Sequence, residues 1–172
     1  MTSIWIRTMA GLVLLFTVTV LGTIFSTTVR GSNAASVATQ GDPQARKLGG
    51  TWRVQVTQRI CQTGVVIRTF PATLTFAEGG TLVGTTTAFP PALRGPDHGI
   101  WQHTGDHTFS AVTEAFLFNP AGLWTGTQQI TQTIEIKDNA DEFNSNAAIQ
   151  FFDSNGNVTL TGCATAVATR ME

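Results

Sequence analysis

Three histidines fall within ten residues, His98, His103 and His107, and Asp97 and Asp106 stand beside two of them. Imidazole next to carboxylate suits a metal site or an acid–base pair, because histidine changes charge near neutral pH and binds metals through a neutral ring nitrogen. Glu114 stands in Thr113-Glu114-Ala115-Phe116. Enclosed by apolar walls, its carboxyl would be pushed up and could act as a general acid or base. Arg68 alternates with Val66, Phe70, Ala72, Leu74 and Phe76. A guanidinium enclosed on that face needs an anion, from protein or from ligand. Trp101, Trp124 and Gln128 offer aromatic faces and an amide for a bound molecule. The chain has no Ser/His/Asp nucleophile motif, no phosphate loop and no dinucleotide fingerprint. His98 and Glu114 are therefore the candidate catalytic residues, and Arg68, Trp101, Trp124 and Gln128 the candidate ligand contacts. No cofactor and no metal site are expected.

These residues lie in a 172-residue chain of net charge −1, in which only 12% of residues are charged. Lys47 and Lys137 are its only lysines. Without a Lys/Arg stripe, the chain is not an electrostatic nucleic-acid binder. A hydrophobic content of 42% is enough for a packed core and excludes global disorder. The length suits one domain with a short appendage.

The appendage is N-terminal. Residues 8–29 carry no charge between Arg7 and Arg30, and Gly11 to Phe25 is apolar apart from threonines and glycines. Such a run behind an arginine reads as a secretory signal, with small-residue cleavage sites at Ser32-Asn33-Ala34 and Ser36-Val37-Ala38. It falls short of the roughly 20 residues of a membrane span, yet both cleavage sites lie well beyond it. Residues 1–34 are thus a signal peptide or an uncleaved membrane anchor, 35–47 a flexible linker, and 48–172 the folded domain. The protein is then secreted or periplasmic, or anchored with its domain outside. It would touch a membrane only through the N-terminal segment, if that stays attached. No cysteine follows the apolar run, so a lipoprotein-type attachment is not expected.

Beyond residue 48 aliphatic residues alternate with threonines and other polar residues at a period of two, which is the period of a strand with one buried face. Eight strands are predicted, at 51–60, 65–76, 81–88, 99–103, 107–118, 123–137, 142–153 and 158–170. In the first, Trp52, Val54, Val56, Gln58 and Ile60 share one face, and the other face is wholly polar. Links such as Glu78-Gly79-Gly80, Ala121-Gly122 and Ser154-Asn155-Gly156-Asn157 are hairpin turns that force sequential antiparallel neighbours. A meander of eight strands either closes on itself or leaves two bare edges, and closure removes them. The one long link, 89–98, holds Pro90, Pro91 and Pro96 and reads as a loop over one end, the mouth. His98 then sits at the mouth and His103 and His107 at the far end, ~17 Å away. One three-histidine site is ruled out by that spacing. A two-ligand pair or ordinary hairpin surface remains.

Cys61 ends the first strand and Cys163 lies in the eighth. In an exported chain two cysteines default to a disulfide. If they are directly opposed, antiparallel pairing sets Val54 opposite Arg170 and brings Arg170 diagonal to Trp52 on the same face. A bond with another offset, or two free buried thiols, are the alternatives.

Gly50-Thr51-Trp52 on the first strand, with Arg170 on the last, resembles the lipocalin and wider calycin pattern. Gly-x-Trp recurs at Gly99–Trp101 and Gly122–Trp124. The resemblance implies an eight-stranded barrel whose Trp52 stacks on Arg170 and plugs the closed end. The chain departs from typical lipocalins in lacking a C-terminal helix and a match to their middle motifs, and in a short 1–2 loop (Gln62–Gly64) beside a long 3–4 loop. A lipocalin-like bacterial barrel fits better than a typical lipocalin. The resemblance implies a carrier of a small apolar molecule or, as in some such barrels, a small cofactor-free cyclase or isomerase.

The expected inner faces are Val158, Leu160, Gly162, Ala164, Ala166 and Ala168 in strand eight and Trp124, Gly126, Gln128, Ile130, Gln132, Ile134 and Ile136 in strand six. Small residues on one wall favour a hollow, unless the phenylalanines fill it. In strand five Glu114 could face in, or the equally apolar set Phe109, Ala111, Thr113, Ala115 and Leu117 could. A bulge at Pro71 would reset Arg68 to the wet mouth. The fold expected is all-β, an up-and-down barrel. Three functions fit it: a small-molecule binder, a cofactor-free cyclase or isomerase, and a structural surface module with a filled core.

Overall fold

The structure is a computed structural model and describes residues 45–172. The expected signal or anchor, and most of the expected linker, lie outside the described residues.

A one-turn helix, α1 (Ala45–Leu48), precedes eight strands: β1 (Gly50–Arg59), β2 (Val66–Ala77), β3 (Thr81–Thr86), β4 (Asp97–Gly105), β5 (Thr108–Phe118), β6 (Trp124–Ile136), β7 (Glu142–Asp153) and β8 (Val158–Arg170). They form a closed barrel in chain order, each strand antiparallel to the next and β1 to β8. The eight expected strands are all present. β3 stops two residues early, and β4 extends at both ends. The helix was not expected. It seats Leu48, fully buried, beneath the barrel.

Alternation decides the faces. Along β1, Trp52 and Val54 are buried while Arg53 and Gln55 are exposed. The large inward residues gather at the end where β1 begins: Leu48, Trp52, Phe76, Leu82, Trp101, Phe109, Ile134, Ile136 and Phe143 form one buried cluster. Its rings meet tilted or edge to face, Trp52 on Phe143 at 4.9 Å, and Phe76 and Phe109 each 5.9 Å from Trp101. Such pairs add about 0.5–1.5 kcal/mol beyond their buried area. Nearer the mouth several inward residues are small, Ala72, Ala147, Ala164 and Ala166 among them, beside larger ones such as Phe70 and Ile149. One half of the interior is therefore filled and the other is left hollow.

The closing seam corrects one expectation. Arg170 is opposite Trp52, not Val54, and Cys163 is opposite Arg59. Cys61 lies past the end of β1 and reaches Cys163 from the turn, with Cα atoms 5.2 Å apart. The slip is two residues, so every side chain keeps its face. Its effect is to set Arg170 straight across from Trp52. Gly50 shows what Gly-x-Trp does here. Its φ is +119°, and a Cβ there would come within 2.8 Å of an Arg170 guanidinium nitrogen. Glycine is the residue that lets the guanidinium close over the indole.

Candidate functional site

The hollow half is a cavity of about 80 Å³ between the aromatic plug and the mouth. Val54, Phe70, Ala72, Ile130, Ala147, Ile149 and Ala166 supply its apolar wall. Into this wall project Arg94, Asp97, Thr113, Gln128, Gln132 and Ser145.

Arg94 and Asp97 come from the end of the 3–4 loop and the start of β4. The loop is sewn onto β5: the Phe118 amide donates to Leu93 O and the Gly95 amide to Phe116 O, each at 2.9 Å. That pairing continues the strand alternation and turns Arg94 inward, where it is 6% exposed. Asp97 is paired with Gly84 and is 5% exposed. A Cβ on Gly84 would lie 2.5 Å from a Leu74 methyl and 3.4 Å from the Asp97 Cβ, so glycine makes the room.

Each guanidinium nitrogen of Arg94 is engaged. Arg94 Nη2 and Nη1 donate to the two Asp97 carboxylate oxygens at 2.5 and 3.1 Å. Nη1 also donates to Gly95 O at 3.2 Å, and Nε to Gln128 Oε1 at 2.6 Å. Thr113 Oγ1 donates to Asp97 Oδ1 at 3.5 Å. A buried pair held in this way is tolerated because each charge has its counter-charge and its hydrogen bonds. Gln132 and Ser145 differ. They are 8% and 5% exposed and have no protein hydrogen-bond partner among the described residues.

Of the expected ligand contacts, Gln128 lines the cavity and is buried. Arg68 keeps the inward register, opposite Gln58, but lies at the open end and is exposed. Pro71 makes no bulge; the register shift lies between Gln58 and Arg59. Arg68 donates to Gln58 Oε1 at 2.9 Å and to Ala88 O at 3.0 Å, so it needs no anion. Trp101 is buried, but in the plug, its indole N–H donating to Thr81 O at 2.9 Å, and it does not line the cavity. Trp124 is 49% exposed at the rim. A register shift between Leu117 and Phe118 pairs Phe118 with Trp124 and breaks the alternation that would have turned the indole inward.

The two catalytic candidates both face outward. In β5 the buried set is Phe109, Ala111, Thr113 and Ala115, which leaves Glu114 on the exterior accepting from Gln129 Nε2 at 3.1 Å. His98 is exposed and directly opposite Glu114 across the β4–β5 ladder. They share the outer wall, away from the cavity. His103 and His107 lie at the closed end, where the His103 ring is 5.1 Å from Phe109 and His107 Nδ1 is 3.3 Å from an Asp138 oxygen. Among the described residues, no three His, Cys, Asp or Glu side chains are grouped to hold a metal ion.

Sequence reasoning missed Arg94, and set Asp97 beside His98 rather than with Arg94. The available signal was a pair of opposite charges three residues apart in a chain with few charges, inside the one long loop. Ser145 was also missed, its strand not having been assigned a face. Neither a protein-family model nor a curated protein matches the chain.

Proposed function

We propose that this chain is an exported barrel that binds one small molecule in the hollow half of its interior. The observation that carries this reading is the cavity itself: apolar walls with a few convergent, buried polar groups, which is the usual make-up of a small-molecule site. A closed barrel plugged at one end by Trp52 and Arg170 is similar in layout to calycin carriers and supports the same reading. The disulfide is compatible with an oxidising compartment outside the cytoplasm.

Side chains reach across part of the mouth. Phe89, from the 3–4 loop, reaches the ring of Phe151 on the opposite wall at a centroid distance of 6.4 Å, and the Arg68 guanidinium carbon is 5.8 Å from its other neighbour's face, the Phe89 ring centre. Arg68 thus fastens the loop that a ligand must pass. Around it the rim is apolar, with Val65, Val66, Ile67, Leu123, Trp124, Val158 and Leu160 all exposed. An apolar rim favours the approach of a weakly polar molecule.

A cyclase or isomerase in this cavity would have to work with Asp97, the one carboxylate among the lining residues, and Asp97 is already engaged by Arg94. A structural module with a filled core would not leave polar side chains around a hollow. Binding is the reading these groups favour. Native mass spectrometry of the protein recovered from its export route tests it. A co-purified small molecule, with tryptophan fluorescence altered when it is removed and returned, is the expected result. A bare mass in every preparation, and no response to any small-molecule panel, would remove the reading.

A further inference from the structure

We infer that the cavity selects a compact, uncharged molecule carrying one hydrogen-bonding head, which Gln132 and Ser145 hold. The inference rests on the binding function proposed above and specifies the chemistry of its ligand.

Charge comes first. Among the described residues, Arg94 and Asp97 are the only charged side chains lining the cavity, and they neutralise each other. Every guanidinium nitrogen of Arg94 already has an acceptor. An anionic ligand could reach only the remaining Nη2–H, beside the Asp97 carboxylate that repels it, or would have to displace Asp97. A cationic one would have to displace Arg94 from Asp97. Either exchange leaves a buried charge without its counter-charge, which is strongly unfavourable. The remaining wall is apolar or carries neutral polar groups only, so it offers an ion hydrogen bonds but no counter-charge.

Polarity comes second. Gln132 and Ser145 are more than nine-tenths buried, line the cavity and have no protein partner among the described residues. Gln128 gives its carbonyl oxygen to Arg94, and its amide N–H groups likewise have no protein acceptor. Buried donors and acceptors are almost always matched, so these groups call for a partner. Gln132 is opposite Ala147 and Ser145 is two residues along the same strand, so the two are diagonal neighbours on the inner face. Diagonal positions are ~7–8 Å apart, which lets one carbonyl, hydroxyl or amide sit between both side chains.

Size comes third. About 80 Å³ is well under the 150 Å³ of an apolar cavity that takes up benzene. The ligand is therefore no larger than benzene, about six heavy atoms at most, with its carbons against Val54, Ala72, Ile149 and Ala166.

The test titrates the exported protein, labelled with nitrogen-15, with five probes of similar skeleton: isobutyramide, isobutanol, isobutyrate, isobutylammonium and isopentane. The Gln128 and Gln132 side-chain amides and the Ser145 backbone amide are the reporters. Isobutyramide and isobutanol are expected to shift them, with affinities about tenfold or more above those of the two ions and the hydrocarbon. In Gln132→Leu the amide probe is expected to lose, and isopentane to gain, about tenfold. Equal binding of isopentane and isobutyramide to the unmodified protein would overturn the polar-head assignment and leave the binding function standing. Equal binding of isobutyrate would overturn neutrality in the same way. If no probe binds although mass spectrometry finds a co-purified molecule, the inferred ligand class is wrong and the binding function survives. If no probe binds and nothing co-purifies, both fall.

Discussion

The Arg170 guanidinium carbon lies 4.3 Å from the ring centre of Trp52, and the two residues are direct partners across the seam that closes the barrel. The same guanidinium donates to Gly49 O at 2.6 Å and to Ala140 O at 2.7 Å. One side chain therefore ties together the N-terminal lead-in, the β6–β7 turn and the plug. Arg170→Lys keeps the charge but loses the planar fork that reaches all three. It is expected to destabilise the fold by about 2–3 kcal/mol in urea unfolding. A loss within about 0.5 kcal/mol, the range of ordinary surface changes, would show that the stacking is incidental.

Arg94 and Asp97 are expected to behave as a unit. Arg94→Leu alone leaves the Asp97 carboxylate buried and unpaired, at a cost of about 3–5 kcal/mol. Arg94→Leu with Asp97→Leu removes both charges and is expected to cost clearly less than Arg94→Leu alone. A double-mutant cycle by chemical denaturation reads the coupling. Additive losses would mean that the two charges do not depend on each other.

Phe89 is expected to govern exchange rather than affinity. Phe89→Ala removes the ring that spans from the 3–4 loop to Phe151. Ligand on- and off-rates should rise together, by about tenfold or more, while Kd changes much less. Stopped-flow measurement with a probe that binds would show this. Unchanged rates would place the route of access elsewhere.

Asp153 supplies a pH signature. It accepts hydrogen bonds from the Asn157 side chain at 3.1 Å and from the Asn155 and Asn157 backbone amides at 2.9 Å in the β7–β8 turn. These bonds, the Asn157 side chain's first, hold its carboxyl below the ordinary value of 3.8. A carboxyl lowered on folding adds stability above its unfolded pKa, and that contribution disappears as pH falls through the folded value. Asp153→Asn should therefore flatten the acid limb of the stability profile below about pH 4 and leave the neutral region's slope unchanged. An acid limb identical in both proteins would contradict the assignment.

Much of the architecture is legible in the sequence, because its causes are local. Trp52, Val54 and Val56 alternate with Arg53, Gln55 and Thr57, and turn residues such as Gly79-Gly80 and Asn155-Gly156 mark where strands reverse. Cys61 and Cys163 pointed to the seam. Their register came out two residues off because a cysteine in a turn need not be opposed to its partner. The site was less legible for a physical reason. Strand β5 is apolar on both faces, with Phe116 60% exposed, so hydrophobicity could not say whether Glu114 or Thr113 pointed inward. Trp124 lay beyond a register shift that sequence does not announce. Arg94 and Asp97 sit where a loop resumes strand-like pairing with β5 and turns into β4, and that pairing is set by the tertiary fold rather than by local preference.

The most direct trial is a crystal structure of the protein purified without added ligand, read at the space between the Arg94–Asp97 pair and the Phe76–Trp101 plug. The expected result is density for a compact non-protein molecule, its polar end at Gln132 and Ser145 and its carbons against Ile149 and Ala166. A cavity closed by inward movement of Phe70, Ile130 and Ile149, with Gln132 and Ser145 hydrogen-bonded to the protein itself, would contradict it.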